Sequence, residues 1–139
     1  MSTIFSQIVA GDIPARTVYE DEDTLAFLDV NPLAPGHTLV IPKTEYERLN
    51  DMPEDEAGAL YSVIHRLVPA VEAAVDADAT TVAFNNGEAA GQEVPHVHCH
   101  IVPRFDGDGG GPIHMVAGER PSLADDELDT IAADIADRA

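Results

Sequence analysis

Short apolar stretches separated by turn residues predict β-strands along much of the chain. Arg16–Glu20 and Thr24–Val30 lie on either side of an acidic turn, which is the pattern of a β-hairpin. His37–Ile41 follows a turn that contains two prolines and a glycine, and we expect a third strand there. Thr80–Phe84 is rich in residues that favour strands and predicts a further one.

Helical spacing of apolar residues occurs near the start, in the middle and at the end of the chain. Residues 4–9 predict a short helix, and the acidic residues 54–56 open a long one, since negative charge suits a helix N-terminus. Ser122–Ala139 is typical of an acidic helix capped by Ser122. Strands and helices do not alternate regularly, so we predict an α+β fold with a mainly antiparallel sheet. The long helix carries one apolar stripe, which consists of Leu60, Ile64, Leu67, Val71 and Val75.

Three histidines recur at a spacing of two in the segment His96–Val102. In a β-strand alternate residues share a face, so His96, His98 and His100 are predicted to line one face while Val97 and Cys99 point into the core. Folding alone does not require such a row, because a solvated face is normally built from Thr, Lys, Glu or Ser. The row therefore indicates chemistry, either an imidazole nucleophile that acts on a phosphate or a metal site.

Geometry separates these two interpretations. Neighbouring same-face positions of a strand lie about 6.6 Å apart, whereas zinc needs every ligand atom about 2 Å from one point. One straight strand hardly brings three imidazoles to one metal, although two of them with His37 from a neighbouring strand could do so. The spacing suits a nucleophile better. His98 can attack a phosphorus while the flanking imidazoles hold phosphate oxygens or protonate a leaving group.

Composition narrows the function further. The chain has 139 residues, enough for one domain, and carries 26 acidic against 7 basic residues, a net charge of −19. This balance argues against nucleic-acid binding, which needs a basic surface. No segment is long enough to span a membrane and no signal pattern opens the chain, so we expect a cytoplasmic protein. Because the acidic residues are spread along the chain, we also predict that it comes from a halophilic cell.

The segment His96–Val102 resembles the signature of the histidine-triad (HIT) superfamily. The resemblance extends from Thr3 to about Arg104, so we predict a HIT domain at 3–104 and a glycine-rich loop with an acidic helical tail at 105–139. It implies a five-stranded antiparallel sheet with a short N-terminal helix, one long helix and a C-terminal helix, commonly in a homodimer. The other segments that resemble the family are Ile4–Ile8, Ile13–Ala15, Leu25–Pro32, Pro35–His37, Asn85–Gly87 and Gly91–Pro95.

The resemblance also implies roles for individual residues. His98 corresponds to the nucleophile that attacks the α-phosphate, and His100 and His37 to histidines on the phosphate side. His96 corresponds to a histidine that assists orientation or the leaving group. Asp29 resembles the acid that accepts both ribose hydroxyls. The apolar slot for a base, usually a purine, is expected to consist of Ile4, Phe5, Ile8, Phe27, Val30 and Leu39.

Three residues before the histidines are expected near the phosphates. Asn85 and Gln92 resemble the amide side chains of that region. Glu93 departs from the family, whose branches often have Ser or Thr there, and a carboxylate would repel phosphate. Glu93 is compatible with a bound phosphate only if its side chain points away and its backbone N–H alone is used; otherwise it would blunt the chemistry.

The resemblance implies a nucleotide hydrolase or transferase that cleaves a phosphoramidate or phosphoanhydride bond at the α-phosphate of a purine nucleotide. The reaction would pass through a covalent nucleotidyl-histidine without a metal or other cofactor. The enzyme is then of the adenosine phosphoramidase or the dinucleoside polyphosphate hydrolase type, and Pro103-Arg104 leans toward the second. Two alternatives stay open, namely a non-catalytic nucleotide-binding sensor or adaptor and a zinc-dependent hydrolase.

Overall fold

A computed structural model describes residues 2–139 of the chain. Within these residues, three α-helices and five β-strands follow one another, with single turns of 3₁₀ helix at Leu49–Asp51, Glu88–Ala90 and Ile113–Met115. The regular elements are α1 (Ile4–Val9), β1 (Thr17–Glu20), β2 (Thr24–Leu28), β3 (Thr38–Pro42), α2 (Glu54–Val75), β4 (Ala79–Phe84), β5 (Cys99–Arg104) and α3 (Asp125–Arg138).

The strands form one antiparallel sheet in the order β1-β2-β3-β5-β4. This arrangement confirms the predicted α+β class with five antiparallel strands and three helices. The chain leaves β3 through α2 to form the edge strand β4, and β5 then returns between them. As a result, the strand that follows the histidine segment lies inside the sheet, beside the strand that follows His37.

Apolar side chains are buried on both faces of the sheet. Successive residues of β2 and β3 point to opposite faces, and nearly all of them are buried, because α2 covers one face and α1 packs against the other. The predicted stripe on α2 packs as expected up to Val71, while Val75 at its end is only half-buried. The second face holds a smaller cluster, which consists of Phe5, Leu25, Phe27, Leu39 and Ile41.

The histidine segment is not the continuous strand that its spacing predicts. Strand β5 begins at Cys99, so His100 is the only one of the three histidines within it, and the prediction of three imidazoles on one strand face is wrong. The segment before β5 bends instead. Pro95 has no N–H to donate, and the His96 N–H donates to the Val94 carbonyl at 2.8 Å.

The remaining differences lie at element ends. Strand β2 ends at Leu28 rather than at Val30, and α3 begins at Asp125 rather than at Ser122. The N–H of Ala124 donates to the Glu127 carboxylate at 3.2 Å, which caps α3 in place of the expected serine. All residues from 106 to 139 are exposed. Within residues 2–139, no helix combines the length and the apolarity that crossing a bilayer requires.

Candidate active site

A cavity of about 500 Å³ is bordered by α1, the loop after β2 and the segment that leads into β5. Gln92 and His96 are the two predicted site residues that do not line it. Two other cavities, of about 650 and 590 Å³, are lined by glutamates and contain no imidazole. The predicted site residues that line the first cavity are Ile4, Phe5, Ile8, Phe27, Asp29, Val30, His37, Leu39, Asn85, Glu93, His98 and His100.

The apolar wall of this cavity is part of the core. Phe5 and Phe27 are buried and meet edge to face with their ring centroids 5.6 Å apart. Ile4 and Val30 lie at the rim instead, with 49% and 77% of their surfaces exposed. The wall is thus rigid at its base and open at its mouth, which suits a flat apolar group that enters from solvent.

His98 presents one free nitrogen at the polar end of the cavity. Its Nδ1–H donates to the His96 carbonyl at 2.7 Å, so the lone pair of the neutral ring lies on Nε2. Nε2 has no hydrogen-bond partner within residues 2–139, although only 8% of the residue's surface is exposed. A buried, oriented imidazole with a free lone pair facing a cavity is the arrangement that a nitrogen nucleophile requires.

His37 and His100 form a hydrogen-bonded pair with defined proton positions. The backbone N–H of Leu33 donates to His37 Nδ1 at 3.0 Å, so the proton of neutral His37 is on Nε2. His37 Nε2–H therefore donates to His100 Nδ1, also at 3.0 Å. His100 in turn carries its proton on Nε2. The chain of donors ends in an N–H at the cavity, beside His98, whose ring centroid is 5.0 Å away.

Burial keeps both of these rings neutral. It lowers the pKa of His37, an effect that the Asp29 carboxylate 3.7 Å away partly opposes. Burial, together with the neighbouring His98 and His37, lowers the pKa of His100 to about 4. At neutral pH the pair supplies a fixed N–H donor rather than a positive charge.

Among residues 2–139, Asp29, His37 and His100 are the group that could hold a metal, since their ligand atoms lie within 4.8 Å of one another. A metal on His37 Nε2 would move the proton of that ring to Nδ1. The Leu33 N–H already points at Nδ1, so two donors would face each other inside the fold. The three residues therefore fit a hydrogen-bond chain better than a metal ion.

His96 lies outside the cavity and is completely buried. Its Nε2–H donates to the Pro42 carbonyl at 2.8 Å, and its Nδ1 lies 3.1 Å from the Thr3 hydroxyl. Burial lowers its pKa, and the bond to Pro42 opposes this in part. With both nitrogens occupied, His96 reaches the site through its carbonyl, which orients His98.

Of the three residues predicted near the phosphates, Asn85 and Glu93 line the cavity and Gln92 does not. Gln92 accepts from the Gly87 N–H at 2.7 Å and donates to the carbonyls of Glu47 and Val94, so its amide braces the loop. Asn85 lines the cavity. Glu93 also lines the cavity, and its side chain is exposed, at the border with the two glutamate-lined cavities.

Sequence reasoning missed two contacts of the site. Leu33 lines the cavity and sets the proton position of His37 through its backbone, a role that no side-chain pattern can signal. Thr3, which lies just before α1, reaches His96 across 93 positions of sequence. Both depend on how distant segments pack.

Comparison with other sequences points to one family. Residues 10–107 match the model of the HIT domain. The chain is 50% identical over 106 residues to an uncharacterized HIT-like protein of Methanocaldococcus jannaschii, over 76% of this chain and 81% of that protein. It is 39% identical over 105 residues to adenylylsulfatase HINT3 of Arabidopsis thaliana, over 76% of this chain and 53% of HINT3.

Comparison with solved structures points to the same family. A crystal structure of a HIT family member from Bacillus subtilis matches with a TM-score of 0.88 at 37% identity, over 100% of this chain and 98% of that one. A histidine triad nucleotide-binding protein from Candida albicans matches with a TM-score of 0.84 at 28% identity, over 99% of this chain and 96% of that one. The match to the domain model includes all four histidines described above.

Proposed function

The chain belongs to the HIT domain family, and on this basis we propose that it is a nucleotide hydrolase or transferase whose nucleophile is His98. Similarity to an adenylylsulfatase and to a histidine triad nucleotide-binding protein supports the general activity. The observation that carries the specific proposal is the free Nε2 of His98, held at the end of an apolar cavity by the His96 carbonyl.

The cavity can bind a nucleotide along its length. The base enters between Phe5 and the rim residues Ile4 and Val30, and the ribose meets Asp29. One oxygen of that carboxylate accepts from the Asn31 N–H at 2.9 Å, which orients it, and the other lies toward His37. This order places the α-phosphate at the histidines.

The reaction then follows from the proton positions. His98 Nε2 attacks the α-phosphorus, an N–P bond forms, and the bond to the leaving group breaks with its electron pair, onto which the leaving atom takes a proton from solvent. His100 Nε2–H donates to a phosphate oxygen and stabilises the charge that develops. Water next attacks the phosphorus, the N–P bond breaks with its electron pair returning to His98 Nε2, and a nucleoside monophosphate and a proton are released to solvent.

We propose a phosphoramidate rather than a dinucleoside polyphosphate as the substrate. No lysine or arginine among residues 2–139 lines the cavity, so nothing there balances the several charges of a polyphosphate leaving group. Arg104 is engaged elsewhere, because it donates to Asp108, Thr81 and the Gly111 carbonyl. The leaving group of a phosphoramidate departs as a neutral amine once its nitrogen has taken up a proton from solvent, so it requires no cationic site.

Replacement of the nucleophile tests the function. With His98→Ala we expect hydrolysis of adenosine 5′-phosphoramidate to fall at least about a thousandfold, since covalent catalysis is lost. His65→Ala, which alters an exposed histidine of α2, should retain full activity. Undiminished turnover by the His98 variant would refute the assignment.

A nucleotide-binding sensor or adaptor is the second candidate, and Glu93 favours it, because a carboxylate at the cavity disfavours phosphate. Intact-protein mass spectrometry after rapid mixing with substrate separates the two. A hydrolase accumulates an adduct heavier by one nucleotidyl group, and a binding module does not.

We also propose that the protein forms a homodimer. Leu128, Ile131 and Ile135 lie on one side of α3, and between 46% and 62% of each is exposed. A helix of 14 residues without tertiary packing is only marginally stable in water. We therefore expect these side chains to pack against a partner. A second copy of the chain, packed against this side of α3, would bury them.

The cytoplasmic location stays a prediction.

A further inference from the structure

Thr3 begins a chain of contacts that leads to the proposed nucleophile. It is the N-cap of α1 and is nearly buried, with 9% of its surface exposed. Its backbone N–H donates to Ser6 Oγ at 2.8 Å and to Glu45 Oε1 at 3.0 Å. Its Oγ1 accepts from the Ser6 N–H at 3.1 Å, which is the usual capping bond.

The Thr3 hydroxyl proton has two acceptors within reach, Ser6 Oγ at 3.4 Å and the nearer His96 Nδ1 at 3.1 Å. Because the Pro42 carbonyl can only accept, His96 carries its proton on Nε2 and offers a lone pair on Nδ1. The Thr3 O–H donates to that lone pair at 3.1 Å. The His96 ring is thus held from both sides, by the start of α1 and by the end of β3.

The same ring determines where the His96 backbone lies. The His96 carbonyl accepts the Nδ1–H of His98, so the position of this carbonyl sets the direction of the His98 ring. Phe5 reinforces the connection, because its ring meets both imidazoles edge to face, at centroid distances of 5.9 and 5.0 Å. Phe5, in the wall of the base slot, and His98, the proposed nucleophile, are therefore held in fixed positions relative to each other.

We propose that Thr3 is a positioning residue that acts through His96 to aim His98 Nε2 at the phosphorus while holding α1 at a constant distance from it. This inference rests on the proposed function of His98. It assigns the first histidine of the triad to a bridge between α1 and the nucleophile. A cap that served α1 alone would need only the bond from the Ser6 N–H.

Three variants separate the bridge from the cap. Thr3→Val keeps the volume and removes the hydroxyl, Thr3→Ser keeps both hydrogen bonds, and Ser6→Ala weakens the capping box without touching His96. With adenosine 5′-phosphoramidate we expect Thr3→Val to lower kcat about tenfold with KM changed less than about twofold, since a misaimed nucleophile slows the chemical step. Thr3→Ser and Ser6→Ala should keep kcat within about twofold of the unaltered protein.

Long-range ¹H–¹⁵N spectra of the imidazoles at pH 8 give a readout that does not depend on turnover. In the unaltered protein His98 should show the Nδ1–H form and His96 the Nε2–H form. Thr3→Val should move the nitrogen signals of both rings, while Ser6→Ala should not. If Thr3→Val does not fold, Thr3→Asp replaces it, because an ionised aspartate still caps the helix but has no proton to donate to His96 Nδ1.

The two lines of evidence keep the failures distinct. Absence of turnover in the unaltered protein would overturn the proposed function, and the spectra would still decide whether Thr3 orients His98. Unchanged kcat together with unchanged His98 nitrogen signals in the folded Thr3 variant would overturn the positioning role. An equal loss of kcat in Ser6→Ala would also overturn it, since the effect would then belong to the cap.

Discussion

At the scale of single residues, backbone groups decide which nitrogen of each imidazole carries a proton. The Leu33 N–H can only donate and the Pro42 and His96 carbonyls can only accept. These three contacts leave one free lone pair, on His98, and one N–H donor at the cavity, on His100. The chemical division of labour among identical side chains thus comes from the main chain.

The low pKa of His100 predicts a pH dependence of stability. The ring binds its proton near pH 4 when folded and near its ordinary value of 6.5 when unfolded, so the unfolded state holds more protons between these values. The contribution of His100 to the free energy of unfolding should therefore be fully present above about pH 6.5. As the pH falls toward 4, the free energy of unfolding should decrease by roughly 2–3 kcal/mol. Urea unfolding at constant salt measures it.

His100→Gln provides the comparison for this pH dependence. The variant should lose the part of the slope that belongs to His100, whereas His65→Gln, at an exposed position, should keep the slope of the unaltered protein. Equal slopes for the unaltered protein and His100→Gln would contradict the prediction.

At the scale of elements, the turn between β2 and β3 and the bend before β5 deliver the histidines. Gly36 precedes His37 with φ +88°, a value that favours glycine, and a Cβ there would meet Val75 Cγ1 at 2.9 Å and Pro103 Cγ at 3.3 Å. The turn thus packs closely against the end of α2 and against β5. This contact holds His37 opposite His100.

A pair of glycine substitutions tests how much the close packing of Gly36 against Val75 and Pro103 contributes to stability. Gly36→Ala should lower the free energy of unfolding by about 1–3 kcal/mol, through both the strained φ and the contact with Val75. Gly58→Ala, at an exposed position in α2 with no atom near the new Cβ, should raise it by about 0.5–1 kcal/mol. Denaturant unfolding compares the two variants, and a neutral Gly36→Ala would show that the turn adapts.

At the scale of the whole molecule, net charge and exposed apolar surface have opposite effects on the association of two copies of the chain. The net charge of −19 favours separation of copies, while the apolar side of α3 favours association. Salt screens the first effect and leaves the second largely intact. Oligomeric state and stability should therefore both respond to ionic strength.

The homodimer proposal predicts the effect of a charge on α3. Ile131→Asp should give the mass of a monomer by light scattering at a concentration where the unaltered protein is a dimer, because the charge would be buried in the interface. Thr130→Asp, at the neighbouring position off the apolar side, should leave the dimer intact. A dimer that tolerates Ile131→Asp would show that α3 has another role.

The predicted halophilic origin concerns the whole charge distribution. We expect helical circular dichroism to fall on dialysis into low salt, because 26 acidic residues then repel one another with little screening. Sucrose at low salt, which stabilises compact states without screening charge, should restore less of the signal than sodium chloride. A full helical signal in low salt without additives would contradict the prediction.

Local patterns in the sequence determined the class of the fold, the family and most of the cavity. The stripe on α2 and the strand-forming segments depend on nearest neighbours along the chain, and so does the histidine repeat. The resemblance to the HIT family implies that Phe5, Phe27 and Asp29 belong to one site, and the structure brings them to one cavity with His98. Element ends shifted by a few residues, because capping bonds such as the one between Ala124 and Glu127 compete closely there.

Only the tertiary structure decided what each histidine does. Equal spacing makes the three imidazoles of the repeat look alike, yet His96 is buried, His98 faces the cavity with a free nitrogen, and His100 is tied to His37. The partners that fix the proton positions of these rings are distant in sequence, since Pro42 lies 54 residues from His96 and His37 lies 63 residues from His100. A hydrogen bond between such distant segments exists only once the chain has folded, so no local pattern can carry it.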